Sequence, residues 1–289
     1  VMVTVLALGA ALAYGTADFL GGAVARKSTA LKALTWCVPV GLAVVLVAAL
    51  LGGGNAAPGP MAWGLLGGMT GGAGLIAFYR ALARGPMSVV APVSALAAAV
   101  LPVAVGIARG ERLNASVLAG VLLCLVAIGL VSMEAGDGGK AASGRRPVDS
   151  GPLMAGVSGA CFGVFFVLLK AAGNGAGLWP VVGARVGTLF IVAVALLFMV
   201  ARGRDLGPRM SGRALIGLAL LSGGLDAGAN VLYFLAVHGG MLSLAAVLTS
   251  LYPAITVLLA RVAYSERLRV IQRVGMAVAV AGVALVTVG

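Results

Sequence analysis

Long apolar runs separated by short polar connections set the pattern of this chain. Ten runs stand out: Val3–Val24, Ala30–Leu51, Met61–Leu82, Met87–Ile107 and Ala115–Met133, then Pro152–Ala171, Leu178–Ala201, Ala214–Val237, Met241–Val262 and Val270–Val288. A helix needs about 20 apolar residues to cross a bilayer, so each run predicts one transmembrane helix. Barrel strands would alternate apolar and polar residues, and these runs do not. The connections are too short for a soluble domain. The longest polar stretch, Glu134–Gly151, reads as a linker between two halves. The fold class expected is all-α and polytopic, with ten helices around a central cavity.

The two halves look related. A shift of 155 residues places Glu111-Arg112-Leu113 on Glu266-Arg267-Leu268, and brings Ala81, Gly85, Ser88 and Ala91 onto Ala236, Gly240, Ser243 and Ala246. A shift of 148 places Tyr14-Gly15 on Phe162-Gly163. The expected division is residues 1–133, a linker at 134–151, and residues 152–289. Five helices per half is an odd number, so the second half runs in the opposite sense. Inverted repeats of this kind hold substrates near the midplane of secondary transporters.

Composition sharpens the picture. Hydrophobic residues make up 61% and charged residues 10%, against about 25% charged in soluble domains; mean hydropathy is +1.12. These values exclude a soluble globular chain and a disordered one. The net charge of +12 does not point to nucleic acid, because Lys and Arg gather at the ends of apolar runs. They favour the connections after runs 1, 3, 5, 7 and 9, which should face the cytoplasm. A cytoplasmic (inner) membrane protein with both termini outside is expected. The first run is too long for a signal-peptide core and lacks a clear cleavage site. It is expected to be a retained helix in a chain trimmed at its N-terminus.

Chemistry-bearing residues are few. Cys37, Cys124 and Cys161 lie inside apolar runs without a CxxC, and His238 is the single histidine. No metal or other cofactor is indicated. There is no GxSxG, HExxH or P-loop, so an enzyme is not expected.

Three charges lie deep in runs: Asp18, Arg185 and Asp226. Such residues are costly in hydrocarbon and face a cavity or a partner. They therefore mark either a translocation site or an internal ion pair of Arg185 with one of the aspartates. Asp226, Asn230 and Tyr233 share one helix face, as do Tyr14 and Asp18. A carboxylate, an amide and a phenol suit a zwitterionic amino acid; the alternative is a helix–helix hydrogen-bond seam. A carboxylate in such a site can carry a proton, so protons are the expected coupling ion. Trp36, Phe78, Tyr79, Phe162, Phe166 and Tyr252 are candidate cavity walls, and Trp179 a candidate interface anchor. Pro92 and Pro253 interrupt the fourth and ninth runs beside Ser94 and Ser250, which makes them candidate gating elements; the alternative is a static bend. Gly64, Gly68 and Gly72, and Gly224 with Gly228, are expected to be helix-packing seams. Glu111 and Glu266 are expected to favour the dipole of the helix that follows each.

The five-plus-five duplication, the paired motifs Gly110-Glu111-Arg112-Leu113 and Ser265-Glu266-Arg267-Leu268, the Arg84-Gly85-Pro86-Met87-Ser88 entry to the fourth run, and Tyr14-Gly15 with Phe162-Gly163 go together. In these features the chain resembles the EamA-type ten-helix exporters of the drug/metabolite transporter superfamily, over essentially its whole length. The resemblance implies a helix basket in which runs 1–4 and 6–9 enclose the cavity while runs 5 and 10 are peripheral. It implies export of amino acids or related metabolites, or of toxic compounds. No Lys or Arg lies deep in run 1 or 2, which disfavours a phosphorylated substrate. The leading expectation is a secondary exporter of a small-molecule substrate, amino acids first, acting as a monomer in the lipid bilayer. A lipophilic-cation exporter is the alternative, and a membrane-embedded enzyme a more distant one.

Overall fold

The computed structural model describes residues 2–84, 87–111, 114–133, 151–173, 175–203, 212–264 and 270–288. Residues 134–150 of the linker, Gly85-Pro86, Arg112-Leu113 and Ser265-Glu266-Arg267-Leu268 lie outside them, while Gly151 belongs to a helix. Every regular element among the described residues is a helix: α1 (Met2–Lys27), α2 (Ala30–Gly52), α3 (Pro58–Arg84), α4 (Met87–Ala108), α5 (Ala115–Met133), α6 (Gly151–Ala171), α7 (Trp179–Ala201), α8 (Arg213–His238), α9 (Leu242–Thr249), α10 (Tyr252–Tyr264) and α11 (Val270–Val288). Among the described residues, seven spans are long and apolar enough to cross a membrane, and three shorter apolar helices in α4, α5 and α11 complete ten. Large apolar side chains face outward along them, among them Leu197 at 69% exposure and Val262 at 76%. Such a surface needs hydrocarbon around it.

Nine of the ten expected helices are continuous. The ninth run is two helices, α9 and α10, meeting at Ser250-Leu251. Pro253 has no N–H to give the carbonyl of Thr249, and the chain turns there through Leu251 N–H to Leu248 O at 3.2 Å. Pro92 and Pro102 lie within α4 without a comparable break. The proline signal was the same in both runs, but its consequence was not.

The packing has an internal symmetry. The main pairs are α3 with α7, α1 with α8, α3 with α6, α4 with α6, α2 with α8, and α1 with α9 and α10. Exchanging the first five helices for the last five turns each pair into another on that list. The fifth and last helices, α5 and α11, pack chiefly on each other, outside the basket.

Glycine sets the closest approaches. A Cβ on Gly64 would overlap Pro180 O, and one on Gly68 would overlap Ala184 O. Gly183 and Gly187 meet the α3 backbone in return, so α3 and α7 touch main chain to main chain, as small residues permit. On α8 the seam glycine is Gly223, against Cys37 O of α2. Gly68 and Gly223 are related by the same shift of 155 residues. The expected pair Gly224 and Gly228 is not a seam, since nothing stands within 4 Å of a Cβ at either.

Glu111 also departs from expectation. Its carboxylate does not serve α5, the helix that follows it. It accepts from Leu242 N at 2.7 Å, Ser243 N at 3.1 Å and Ser243 Oγ at 2.5 Å, and so caps α9 in the other half. Nearby, Lys170 Nζ at the end of α6 donates to Val237 O and Gly240 O.

Candidate functional site

Three short links hold the helices that carry the deep charges. Gly15 lets α1 lie directly on α10, where a side chain would strike Tyr252 O and Ile255. Thr256 Oγ1 on α10 donates to Gly15 O at 3.1 Å. Ser222 Oγ on α8 donates to Ala17 O of α1 at 2.8 Å. Its only proton is thus used, so Tyr79 donates to Ser222 Oγ across 3.3 Å. Thr188 Oγ1 on α7 donates to Gly68 O of α3 at 3.0 Å. On the far side Ser94 donates to Ser158, which donates to Gly74 O at 2.9 Å, joining α4, α6 and α3.

Between these helices lies a cavity of about 60 Å³, lined by residues of α1, α3, α4, α6, α7, α8 and α10. Eight residues singled out from the sequence line it: Tyr14, Asp18, Phe162, Phe166, Arg185, Asp226, Asn230 and Tyr252. Arg185 is buried and its Nη1 pairs with the Asp226 carboxylate, α7 to α8. Arg185 Nη2 and the hydroxyl of Tyr14 are buried without a hydrogen-bond partner. The Tyr252 hydroxyl lies beside Ser94 without closing a hydrogen bond. Asp18 is 8% exposed and has no hydrogen bond or ion pair among the described residues. Asn230 Nδ2 turns back to Asp226 O at 2.7 Å.

Other residues singled out from the sequence stand elsewhere. Trp36 on α2 is 43% exposed and faces outward, and no α2 side chain lines the cavity. Phe78 is buried behind Phe162, their rings edge-on at 6.0 Å. Tyr79, Ser94 and Ser250 are buried outside the lining. Tyr233 shares the Asp226 helix face, yet Phe166 covers it, with ring centroids 4.3 Å apart, and its hydroxyl reaches Phe166 O at 3.5 Å. Pro253 is buried at the α9–α10 break, while the side chain of Pro92 lies outside the described residues. Trp179 Nε1 donates to Gly54 O at 3.3 Å, tying the start of α7 to the α2–α3 connection. Gly71, Leu75, Ala98, Phe165, Ala184 and Thr188 line the cavity without having been singled out. Only Thr188 carried a usable signal, because it lies three residues after Arg185 on the same helix face.

Among the described residues no three His, Cys, Asp or Glu side chains stand together as a metal site would require. A basket of membrane-spanning helices around a small, mostly apolar cavity with buried charges defines a solute-transporter class of architecture. Residues 149–288 match the EamA-like transporter family. The chain is accordingly a multi-pass membrane transporter of small solutes. A solved structure titled only "Crystal structure of protein" superposes with a TM-score of 0.69 at 25% identity, over 99% of this chain and 96% of that one. No curated protein matches.

Proposed function

We propose that the protein is a secondary exporter of small metabolites, amino acids first among them. Two inverted five-helix repeats, residues 1–133 and 152–289, rock about the central cavity to give alternating access. The observation that carries this reading is the charge set of the cavity. An Arg185–Asp226 pair and an unpaired Asp18 face one small space with aromatic walls. Buried charges without partners are costly, and a zwitterion offers both the cation and the anion that such a space lacks. The chain works as a monomer in the cytoplasmic membrane, with both termini outside and protons as the coupling ion. It carries out no covalent chemistry.

The test is uptake of labelled glycine, alanine, serine, threonine and methionine into proteoliposomes of the purified chain, against empty liposomes. Saturable uptake of one of them supports the reading. Uptake of none removes the amino-acid assignment. A second reading, export of lipophilic cations, is favoured by one observation, the unpaired Asp18 among aromatic rings. Saturable uptake of tetraphenylphosphonium in place of the amino acids would establish it.

A further inference from the structure

The two aspartates of the cavity are not equivalent. We infer that Asp18 selects the amine of the substrate, whereas Asp226 is a positioning residue that holds the Arg185 guanidinium toward the substrate's carboxylate. This rests on the amino-acid reading above and assigns the two ends of the substrate to opposite groups of that site.

The argument begins with what each group already satisfies. Asp226 is committed, because one of its oxygens pairs with Arg185 Nη1. Arg185 is not fully used, since its Nη2 is buried without a partner. The Tyr14 hydroxyl is in the same condition, and both residues line the same cavity. Buried polar groups in folded proteins are nearly always paired, so these two mark a missing acceptor. A carboxylate meets a guanidinium edge and a hydroxyl with charge-assisted bonds. Asp18 presents the opposite lack. It lines the cavity, is buried, and has no hydrogen bond or ion pair among the described residues.

Tyr14 and Asp18 are one turn apart on α1 and line the same cavity as Arg185, so one small zwitterion can meet all three. The cavity of about 60 Å³ favours a small side chain. Charge agrees as well. Asp18, Asp226 and Arg185 together leave one negative charge when both carboxylates are ionised, so a doubly charged anion is repelled and an ammonium is required.

The experiment uses the full chain in proteoliposomes, with labelled alanine as the probe. Unlabelled ethylamine, which lacks the carboxylate, and lactate, which lacks the amine, serve as competitors. The expected result for Asp18→Asn is a tenfold or greater rise in the half-saturating alanine concentration, with competition by ethylamine lost and competition by lactate kept. For Arg185→Lys, which retains a cation for Asp226 and removes Nη2, the pattern reverses: lactate competition is lost and ethylamine competition is kept. Asp226→Asn should follow Arg185→Lys in this split, and Arg185→Lys carries the test if Asp226→Asn fails to fold. Alanine uptake by Asp18→Asn with wild-type half-saturation overturns the assignment while leaving the amino-acid reading intact. Loss of both competitors in parallel in either folded variant also overturns it, since a purely structural residue behaves that way. If the wild-type chain takes up none of glycine, alanine, serine, threonine and methionine, the amino-acid reading fails and takes this inference with it; uptake of methionine alone overturns this inference and leaves that reading in place.

Discussion

Arg185 on α7 is paired with Asp226 on α8 at the wall of the cavity, with 5% and 19% of their side chains exposed. The pair joins two helices that otherwise touch little, because α7 packs mainly on α3 and α8 mainly on α1. Breaking a buried pair by removing one partner leaves an uncompensated charge and costs about 3–5 kcal/mol, while replacing both with apolar residues is often neutral. Arg185→Met should therefore lower the unfolding temperature in detergent sharply. Arg185→Met combined with Asp226→Leu should restore most of it, without restoring transport. A double variant as unstable as the single one would show that the pair does not hold the fold.

The same pairing separates the two aspartates as proton carriers. Asp226 is committed to the Arg185 guanidinium, whereas Asp18 has no ion pair among the described residues. Asp18→Asn is expected to flatten the dependence of uptake on an imposed pH gradient. Asp226→Asn is expected to weaken uptake at every pH and to leave its dependence on the gradient in place. Gradient-driven uptake in proteoliposomes at several external pH values reads this directly. An unaltered gradient response in Asp18→Asn would exclude Asp18 as the coupling residue.

Much of the architecture is legible in the sequence because a bilayer imposes length and apolarity on every span. Asp18, Arg185 and Asp226 were legible for the same reason: a charge in a span has to turn inward. Leu75, Ala98 and Phe165 were not, since the lipid face and the cavity face of such helices have the same composition. Trp36 and Tyr252 illustrate the point; both are aromatic and within runs, and only the packing sends one outward and the other inward. The break at Ser250-Leu251 was half legible, because Pro253 announces a lost hydrogen bond without saying whether neighbours compensate. The role of Glu111 was hidden because its partners, Leu242 and Ser243, lie in the other half of the chain.

The glycine seam gives a graded prediction. At Gly68 a methyl group would overlap Ala184 O, and at Gly223 it would overlap Cys37 O, backbone in both cases. Forcing extra carbon into well-packed sites costs about 1–3 kcal/mol. Gly68→Ala and Gly223→Ala should each destabilise by about that much and reduce transport, since Gly68 faces the turn of α7 that carries Arg185. Gly224→Ala and Gly228→Ala meet open space and should gain up to about 1 kcal/mol from helix propensity. Thermal unfolding of the four variants side by side checks the contrast. Equal effects at Gly223 and Gly224 would contradict it.

The cap supplied by Glu111 makes a local prediction. Helix α9 has only eight residues, and its N-cap, Met241, has no side chain able to accept from the first turn. The backbone N–H groups of Leu242 and Ser243, which have no acceptor within the helix, donate instead to Glu111. A carboxylate there satisfies two backbone donors and complements the helix dipole. Glutamine keeps the reach but loses the charge and has one acceptor oxygen in place of two. Glu111→Gln should therefore cost about 1 kcal/mol, in the range of other N-cap losses. The signature is positional. Amide exchange should quicken from Leu242 to Thr249 and stay unchanged in α2 and α7, which lie away from the cap. Because Glu111 sits on the α4–α5 connection and α9 in the opposite half, the same variant should loosen this end of the basket and change the rate of transport more than the half-saturating substrate concentration. A variant that alters half-saturation alone, with exchange in α9 untouched, would place Glu111 in the substrate path instead.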